Sequence, residues 1–194
     1  MERSEPALLP RLRAAVSVDT GRPVDPPRGR GGAAVLLLFD ASHSGLPLLF
    51  ILRSEQLRFH AGQIAFPGGM SEADDSGPVE TALREAHEEV GVGAEDVEVI
   101  GTLSPLLTAT SDLWLTPVVG LQRSQFDVVA DPFEVAEWFR LELDALLRAP
   151  HTVRDLARGD ERRLVHFYEA DGRTIWGVSA AILHELMTRL GRRD

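Results

Sequence analysis

Residues 84 to 92 read REAHEEVGV and carry three carboxylates at helical spacing. At about 100° per residue, Glu85, Glu88 and Glu89 fall on one face of a predicted helix. An apolar stripe beside that face indicates where the helix packs. This stripe comprises Val79, Ala82, Leu83, Ala86 and Val90. The carboxylates repel one another unless a cation offsets their charge, and oxygen ligands at this spacing suit Mg²⁺ or Mn²⁺.

The predicted helix has sequence signals at both ends. Pro78 fits its first turn, and Gly91 is well placed to end it. The turn Phe66–Gly69 precedes the helix and brings backbone close to whatever the helix binds. Taken alone, the three glutamates favour a solvated acidic helix face, because such charge clusters are common, so the wider pattern has to decide between the two interpretations.

That wider pattern resembles the Nudix box of the Nudix hydrolases. The matching residues are Gly69, Asp75, Arg84, Glu85, Glu88, Glu89 and Gly91. Asp75 stands where the box has its first glutamate, and eight residues rather than seven separate it from Arg84. Both departures lie before the Arg-Glu core, so the resemblance implies that the metal-binding geometry is retained. It also implies an α/β fold, the Nudix α/β/α sandwich with a mixed sheet.

The resemblance assigns roles within the box. Glu85 and Glu89, one turn apart, are the predicted ligands of the first metal ion, and the Gly69 carbonyl is a further ligand. Glu88 is expected to bind a second ion or to hold the attacking water. Arg84 is expected to brace the carboxylates rather than to contact substrate.

A general base outside the box is expected, as in several relatives. Glu134 is the first candidate, and Glu137 is the second. The alternative for Glu134, a solvated acid beside a turn, stays open.

A second motif precedes the box and resembles the signature of the coenzyme A pyrophosphatase branch of the family. It contains Arg53-Ser54, Arg58, Gly62 and Phe66–Gly69, with Ile51 where the signature usually has threonine. Further matches to this branch are Pro132–Val135, Ile175–Gly177 and Ser179-Ala180. The resemblance covers roughly residues 30 to 190. It implies cleavage of coenzyme A or a derivative to 3′,5′-ADP and 4′-phosphopantetheine.

The residues of the upstream motif have a physical reading of their own. Arginine forks match phosphate oxygens, so Arg53 and Arg58 are predicted to bind the diphosphate, with His60 and Gln63 beside them. Ordinary surface cations remain an alternative for the two arginines. His60 is also consistent with a structural histidine, and Gln63 with a residue that ties the loop together.

Two other functions stay open from the sequence. The box alone does not separate coenzyme A from ADP-ribose or another dinucleotide. A Nudix-fold module that senses a nucleotide without cleaving it is the third hypothesis. Such modules tend to lose box glutamates, whereas all three are present in this chain.

Composition limits the partners. The chain has 194 residues, no cysteine and a net charge of −10, and its 20 basic residues are all arginine. Disulfide, thiolate and lysine Schiff-base chemistry are therefore excluded. No basic stripe suggests nucleic acid, and the apolar run Ala33–Phe39 is too short to cross a bilayer. We expect a cytoplasmic enzyme acting on a small molecule, with a homodimer left open.

The periodicity predicts a short helix and linker over residues 1–30 and one domain over 31–194. The helix is expected at residues 5–16, and Thr20–Gly32 is expected to be a loop. Strands are predicted at Ala33–Phe39, Leu48–Leu52, Val97–Leu103, Leu115–Val119, Phe133–Phe139, Leu164–Tyr168 and Thr174–Trp176. Helices are expected near 141–148 and at 178–191. Strands interleaved with helices indicate the α/β class.

Overall fold

The computed structural model describes residues 7–16, 31–108, 112–158 and 161–192, so residues 20–30 of the predicted linker lie outside it. In the described residues the helices are α1 (Leu9–Ala15), α2 (Pro78–Val90), α3 (Leu143–Arg148) and α4 (Val178–Arg189), with a 3₁₀ turn at Ala94–Asp96. The strands are β1 (Gly32–Phe39), β2 (Pro47–Arg53), β3 (Ile64–Ala65), β4 (Gly68–Met70), β5 (Val97–Thr102), β6 (Leu106–Leu107), β7 (Trp114–Gln122), β8 (Val135–Glu142), β9 (His151–Arg158), β10 (Glu161–Ala170) and β11 (Arg173–Trp176).

Strand β1 is the centre of the larger sheet. It pairs in parallel with β7 along its whole length and antiparallel with β4 at its start and with β2 at its end. On one side β8 and β3 pair with β2, and on the other β5 and β6 pair with β7. The sheet is therefore mixed, as the family resemblance implied.

The two faces of β1 contribute to two cores, because successive side chains of a strand point to opposite faces. Ala34, Leu36 and Leu38 pack with the buried stripe of α2, as that stripe predicted. Leu37 and Phe39 face the opposite side, where α1, α3, α4 and the smaller sheet cover them. This arrangement, with helices on both faces of a large mixed sheet, confirms the α/β class.

The smaller sheet consists of β9, β10 and β11 in antiparallel order. The hairpin predicted around Asp171-Gly172 is confirmed, and both turn residues have positive φ, 51° and 69°. Strand β9 was not predicted, because its charged, largely exposed sequence lacks a clear apolar alternation. It is held by pairing with β10 along its full length rather than by burial of its own side chains.

Several boundaries differ from those predicted. Helix α1 is confirmed over Leu9–Ala15, and Pro10 is accommodated in its first turn, where the missing N–H costs no helical hydrogen bond. Strand β8 starts two residues later than predicted and extends to Glu142, so α3 starts at Leu143 instead of 141. Among the described residues, no helix is both long and apolar enough to cross a membrane.

Candidate metal and diphosphate site

The box helix α2 begins and ends where the sequence indicated. Pro78 occupies its first turn, and Gly91 ends it in the left-handed conformation with φ 72°. The Gly91 N–H donates to the His87 carbonyl, and the Val92 N–H donates to the Ala86 carbonyl. The helix packs across β1 and β4, so the glycine turn and the box glutamates meet at one end of the sheet.

Glu89 is the most deeply placed of the three glutamates, with an exposed side-chain fraction of only 1%. Its carboxylate accepts hydrogen bonds from the Gly68 N–H at 2.9 Å and from Arg53 Nη1 at 3.0 Å. Burial raises the pKa of Glu89 to about 7, although those two donors oppose the shift. The neighbouring carboxylates of Glu134 and Glu85 raise this pKa further by repulsion. The buried Glu89 carboxyl is therefore protonated more readily than an exposed glutamate.

Glu85 lies flat against the glycine turn. A methyl group added to Gly69 would meet the Glu85 carboxylate at 2.5 Å, so only glycine leaves room for it in this position. Burial raises the pKa of Glu85, and the charges of Glu88 and Glu134 add to that effect. The Arg84 guanidinium, 3.1 Å from the Glu85 carboxylate, opposes the shift.

Arg84 is fixed by Asp75 despite the departures in box spacing. Its Nε and Nη2 each donate to one oxygen of Asp75 at 3.1 Å, and Nη2 also donates to the Met70 carbonyl at 2.8 Å. These hydrogen bonds lower the pKa of Asp75 to about 2. The shorter aspartate and the extra residue thus offset each other, and the bidentate pair is kept.

Glu88 is the most exposed of the three box glutamates. Its side chain is 55% exposed, and it accepts hydrogen bonds from Arg84 Nη1 at 3.2 and 3.4 Å. Within the described ranges, the three box glutamates do not form a group whose ligand atoms all lie within 4.8 Å of one another. Each carboxylate is instead held by an arginine or a backbone N–H.

The two candidate bases differ in their surroundings. Glu134 is half-buried, and its charge acts on both Glu85 and Glu89. Its backbone is fixed because its N–H donates to the Asp131 carbonyl and its carbonyl accepts from the Ser54 N–H at 2.8 Å. Glu137 is paired with Arg173 through two hydrogen bonds of 2.6 and 3.0 Å, which lower its pKa.

The upstream motif forms a closed loop between β2 and β3. The Gly62 N–H donates to the Arg53 carbonyl, and the Arg53 N–H donates to the Gln63 carbonyl, so the loop returns to where it began. Gln63 Oε1 lies 2.9 Å from His60 Nδ1, whereas the exposed Arg58 lies over the Phe59 ring at 5.3 Å. The contact of Arg53 with Glu89 was not predicted, and no short-range pattern signals it because 36 residues separate the pair.

The oxygen ligands that this site offers suit a hard divalent cation. Partly or fully desolvated carboxylates whose pKa is raised, as for Glu85 and Glu89, gain most when a cation neutralises them. The backbone of Gly69 passes close to the Glu85 carboxylate, since an added methyl group would lie 2.5 Å from it. Carboxylate and carbonyl oxygens are the ligands that Mg²⁺ and Mn²⁺ prefer.

The raised pKa of Glu89 predicts a pH effect on the metal-free protein. A carboxyl whose pKa rises from 4.5 to about 7 on folding stabilises the fold below pH 4.5, and that contribution is lost as pH rises through 7. We expect the free energy of unfolding in EDTA to contain a component of about 3 kcal/mol that is lost between pH 4.5 and about 7. Urea unfolding of the parent protein and of Glu89→Gln measures it, since the variant should lack this component; identical pH profiles would contradict it.

The chain is similar in sequence and in fold to known proteins. The family profile of the NUDIX domain matches residues 29–161. A protein of Pectobacterium atrosepticum named "Uncharacterized Nudix hydrolase NudL" is 40% identical over 82% of this chain and 83% of its own length. The NudL protein of Photorhabdus laumondii is 41% identical over 72% and 74%. The crystal structure of a MutT protein from Methanosarcina mazei aligns with a TM-score of 0.50 at 21% identity, covering 64% of this chain and 85% of that one.

Proposed function

Because the chain belongs to the Nudix hydrolase family, we propose that it hydrolyses the diphosphate of coenzyme A or its derivatives to 3′,5′-ADP and 4′-phosphopantetheine. One observation carries the choice of substrate. The coenzyme A-type motif runs through Arg53 into the glycine turn, and Arg53 contacts the buried box glutamate Glu89. An arginine of the motif that resembles the coenzyme A pyrophosphatase signature is thus in contact with a glutamate of the Nudix box.

Mg²⁺ or Mn²⁺ would be held by Glu85 and Glu89, with the Gly69 carbonyl as a further ligand and Glu88 as the ligand of a second ion or of the water. When bound, the cation neutralises charge on the diphosphate and acidifies a water molecule. Arg84 positions these carboxylates. Its Nε and Nη2 are bound to Asp75, which leaves Nη1 to contact Glu85 and Glu88.

The reaction requires a proton acceptor for the attacking water. The oxygen of the water bonds to one phosphorus, and the bond from that phosphorus to the bridging oxygen breaks, so the other phosphate leaves with the bridging oxygen. Glu134 takes the proton that the water loses. Glu134 is favoured over Glu137 because its charge already acts on both metal-ligand candidates, whereas Glu137 is neutralised by Arg173.

Arg53 is suited to bind a phosphate oxygen while it holds Glu89. Only its Nη1 donates to that carboxylate, and its buried Nε has no hydrogen-bond partner among the described residues. A buried donor without an acceptor is costly, so an anionic oxygen placed there would be stabilised. Arg58 and His60 are exposed on the same loop, where they would contact the distal parts of the substrate.

The assignment of the base is tested by a matched pair of variants. We expect Glu134→Gln to lower kcat by about 100-fold or more, within the usual range for a general base. Glu137→Gln should change kcat by less than about threefold, because the ion pair that it breaks is exposed. Initial rates at saturating substrate and metal measure both. Equal losses in the two variants would remove the base role from Glu134.

The substrate is tested by product identification. Purified protein is incubated with coenzyme A and, separately, with ADP-ribose, each with Mg²⁺ and with Mn²⁺, and the products are identified by mass. We expect 3′,5′-ADP and 4′-phosphopantetheine from coenzyme A. Cleavage of ADP-ribose alone would retain the hydrolase chemistry and reject the substrate. No cleavage of either would favour a nucleotide-sensing module.

A further inference from the structure

Three of the six histidines of the chain lie close together in space, and all three are far from the box in sequence. His151 starts β9, His166 lies in β10, and His184 lies in α4. His151 Nε2 and His166 Nδ1 are 2.9 Å apart, with ring centroids at 5.2 Å and planes only 10° from parallel. These two rings therefore meet edge to edge through one shared proton. The His184 ring lies 4.3 Å from His166 and 4.9 Å from His151 between centroids.

The fold brings these rings together through strand register and helix packing. His151 is paired with Tyr168 across the β9–β10 ladder, so His166, two residues before Tyr168, is its diagonal neighbour on the same face. Helix α4 packs on β10 and supplies His184. The fully buried Tyr168 supports the group, with its ring 4.6 Å from that of His151. Its hydroxyl lies 3.5 Å from His184 Nδ1.

The geometry points to a second metal site, separate from the carboxylates and built from imidazole alone. One ligand nitrogen from each of His151, His166 and His184 lies within 4.8 Å of the other two. Four-coordinate Zn²⁺ with bonds of about 2.0–2.1 Å holds neighbouring nitrogens roughly 3.3 Å apart. The shared proton between His151 and His166 already brings two nitrogens inside that spacing. Binding would displace this proton and turn the His184 ring, whose plane lies at 20° and 28° to those of His151 and His166, so that its nitrogen faces the same ion.

The ligand chemistry separates this site from the box. Imidazole nitrogen suits Zn²⁺, Co²⁺, Ni²⁺ and Cu²⁺, whereas carboxylate and carbonyl oxygen suit Mg²⁺ and Mn²⁺. We therefore propose that the histidine group binds a borderline transition-metal ion such as Zn²⁺, with water as a fourth ligand. All three rings are half-buried, so an ion can reach them from solvent. Because the three ligands come from β9, β10 and α4, the ion would join the smaller sheet to the C-terminal helix.

Zinc titration of untagged, EDTA-treated protein tests the proposal. The combined variant Glu85→Gln, Glu88→Gln, Glu89→Gln removes the carboxylate ligands and should still bind one Zn²⁺ per chain in calorimetry. Adding His166→Gln or His184→Gln to it should weaken that binding by more than about 100-fold, because losing even an indirect partner of a metal ligand costs 10- to 100-fold. Adding His87→Gln instead, at an exposed histidine of α2, should leave zinc binding unchanged.

A spectroscopic measurement keeps the test decisive if a histidine variant fails to fold. Co²⁺ added to the triple glutamine variant should give the intense visible absorption of four-coordinate nitrogen-rich ligation, and Mg²⁺ should not compete for it. Zn²⁺ at 100 times its Kd should raise Tm by about 5–10 °C. The proposal is overturned if the triple glutamine variant binds no Zn²⁺, or if a folded His166→Gln form binds it undiminished.

Discussion

Replacing Glu89 by glutamine is expected to lower kcat by about a thousandfold while the protein stays folded. Glutamine has nearly the same shape as glutamate but carries no charge, so the substitution removes the proposed metal ligand without leaving a cavity. Several kcal/mol of charge stabilisation in the transition state correspond to about three orders of magnitude in rate. Initial rates with saturating Mg²⁺ or Mn²⁺, together with circular dichroism and thermal unfolding, measure the two parts of this expectation.

The stability of this variant distinguishes the metal role from a structural one. Removing the charge of the buried Glu89 relieves its desolvation, but glutamine can accept from only one of the two donors, Arg53 Nη1 and the Gly68 N–H. We therefore expect the metal-free fold to persist with a loss of about 1–3 kcal/mol in the free energy of unfolding. Glu88→Gln serves as a comparison, because that side chain is more than half exposed and is proposed to bind a second ion or the attacking water. Retained turnover in Glu89→Gln would reject its assignment as a metal ligand.

Substitutions in the glycine turn are expected to have the second large effect. Alanine at Gly69 should lower kcat, whereas alanine at Gly68 should lower the free energy of unfolding. Alanine at Gly69 would place its methyl group 2.5 Å from the Glu85 carboxylate, which is the end of a flexible side chain and can move aside. We expect Gly69→Ala to change stability by less than about 1 kcal/mol but to lower kcat by about 100-fold, since a displacement of about 1 Å in a site can cost that much.

Gly68→Ala is the matched variant one residue earlier. Gly68 has φ of 152°, and an added methyl group would meet the Ala34 carbonyl oxygen at 2.3 Å and the Val35 Cα at 2.6 Å. Those atoms belong to the central strand β1 and cannot move aside cheaply. We expect a loss of about 3 kcal/mol or more in the free energy of unfolding, measured by urea. A stability loss at Gly69 as large as that at Gly68 would contradict the contact with Glu85.

The local part of this site was predictable from the sequence, and the long-range part was not. The bounds of α2 follow from Pro78, Gly91 and the apolar stripe, all of which act within a few residues. The burial of Glu89 does not follow from them. Helical periodicity puts it on the face of Glu85 and Glu88, but the neighbouring β2 and β4 enclose it and supply Arg53 and the Gly68 N–H.

The same limit applies to the fold. Strands β1 and β2 were predicted because their apolar runs are long, whereas β9 is charged and exists through its pairing with β10. The histidine group was missed for a related reason. His151, His166 and His184 are separated by 15 and 18 residues, and only the register of β9 on β10 and the packing of α4 bring them together.

One competition experiment tests the proposed substrate and the proposed role of Glu89 together. Equimolar coenzyme A and ADP-ribose are mixed with the enzyme and Mn²⁺, and the early yields of 3′,5′-ADP and AMP are measured by mass. Because both substrates share one enzyme population, the ratio of these yields is the ratio of their kcat/KM values. We expect 3′,5′-ADP to dominate in the parent protein and both products to vanish with Glu89→Gln. An excess of AMP, or product formation that survives the substitution, would contradict it.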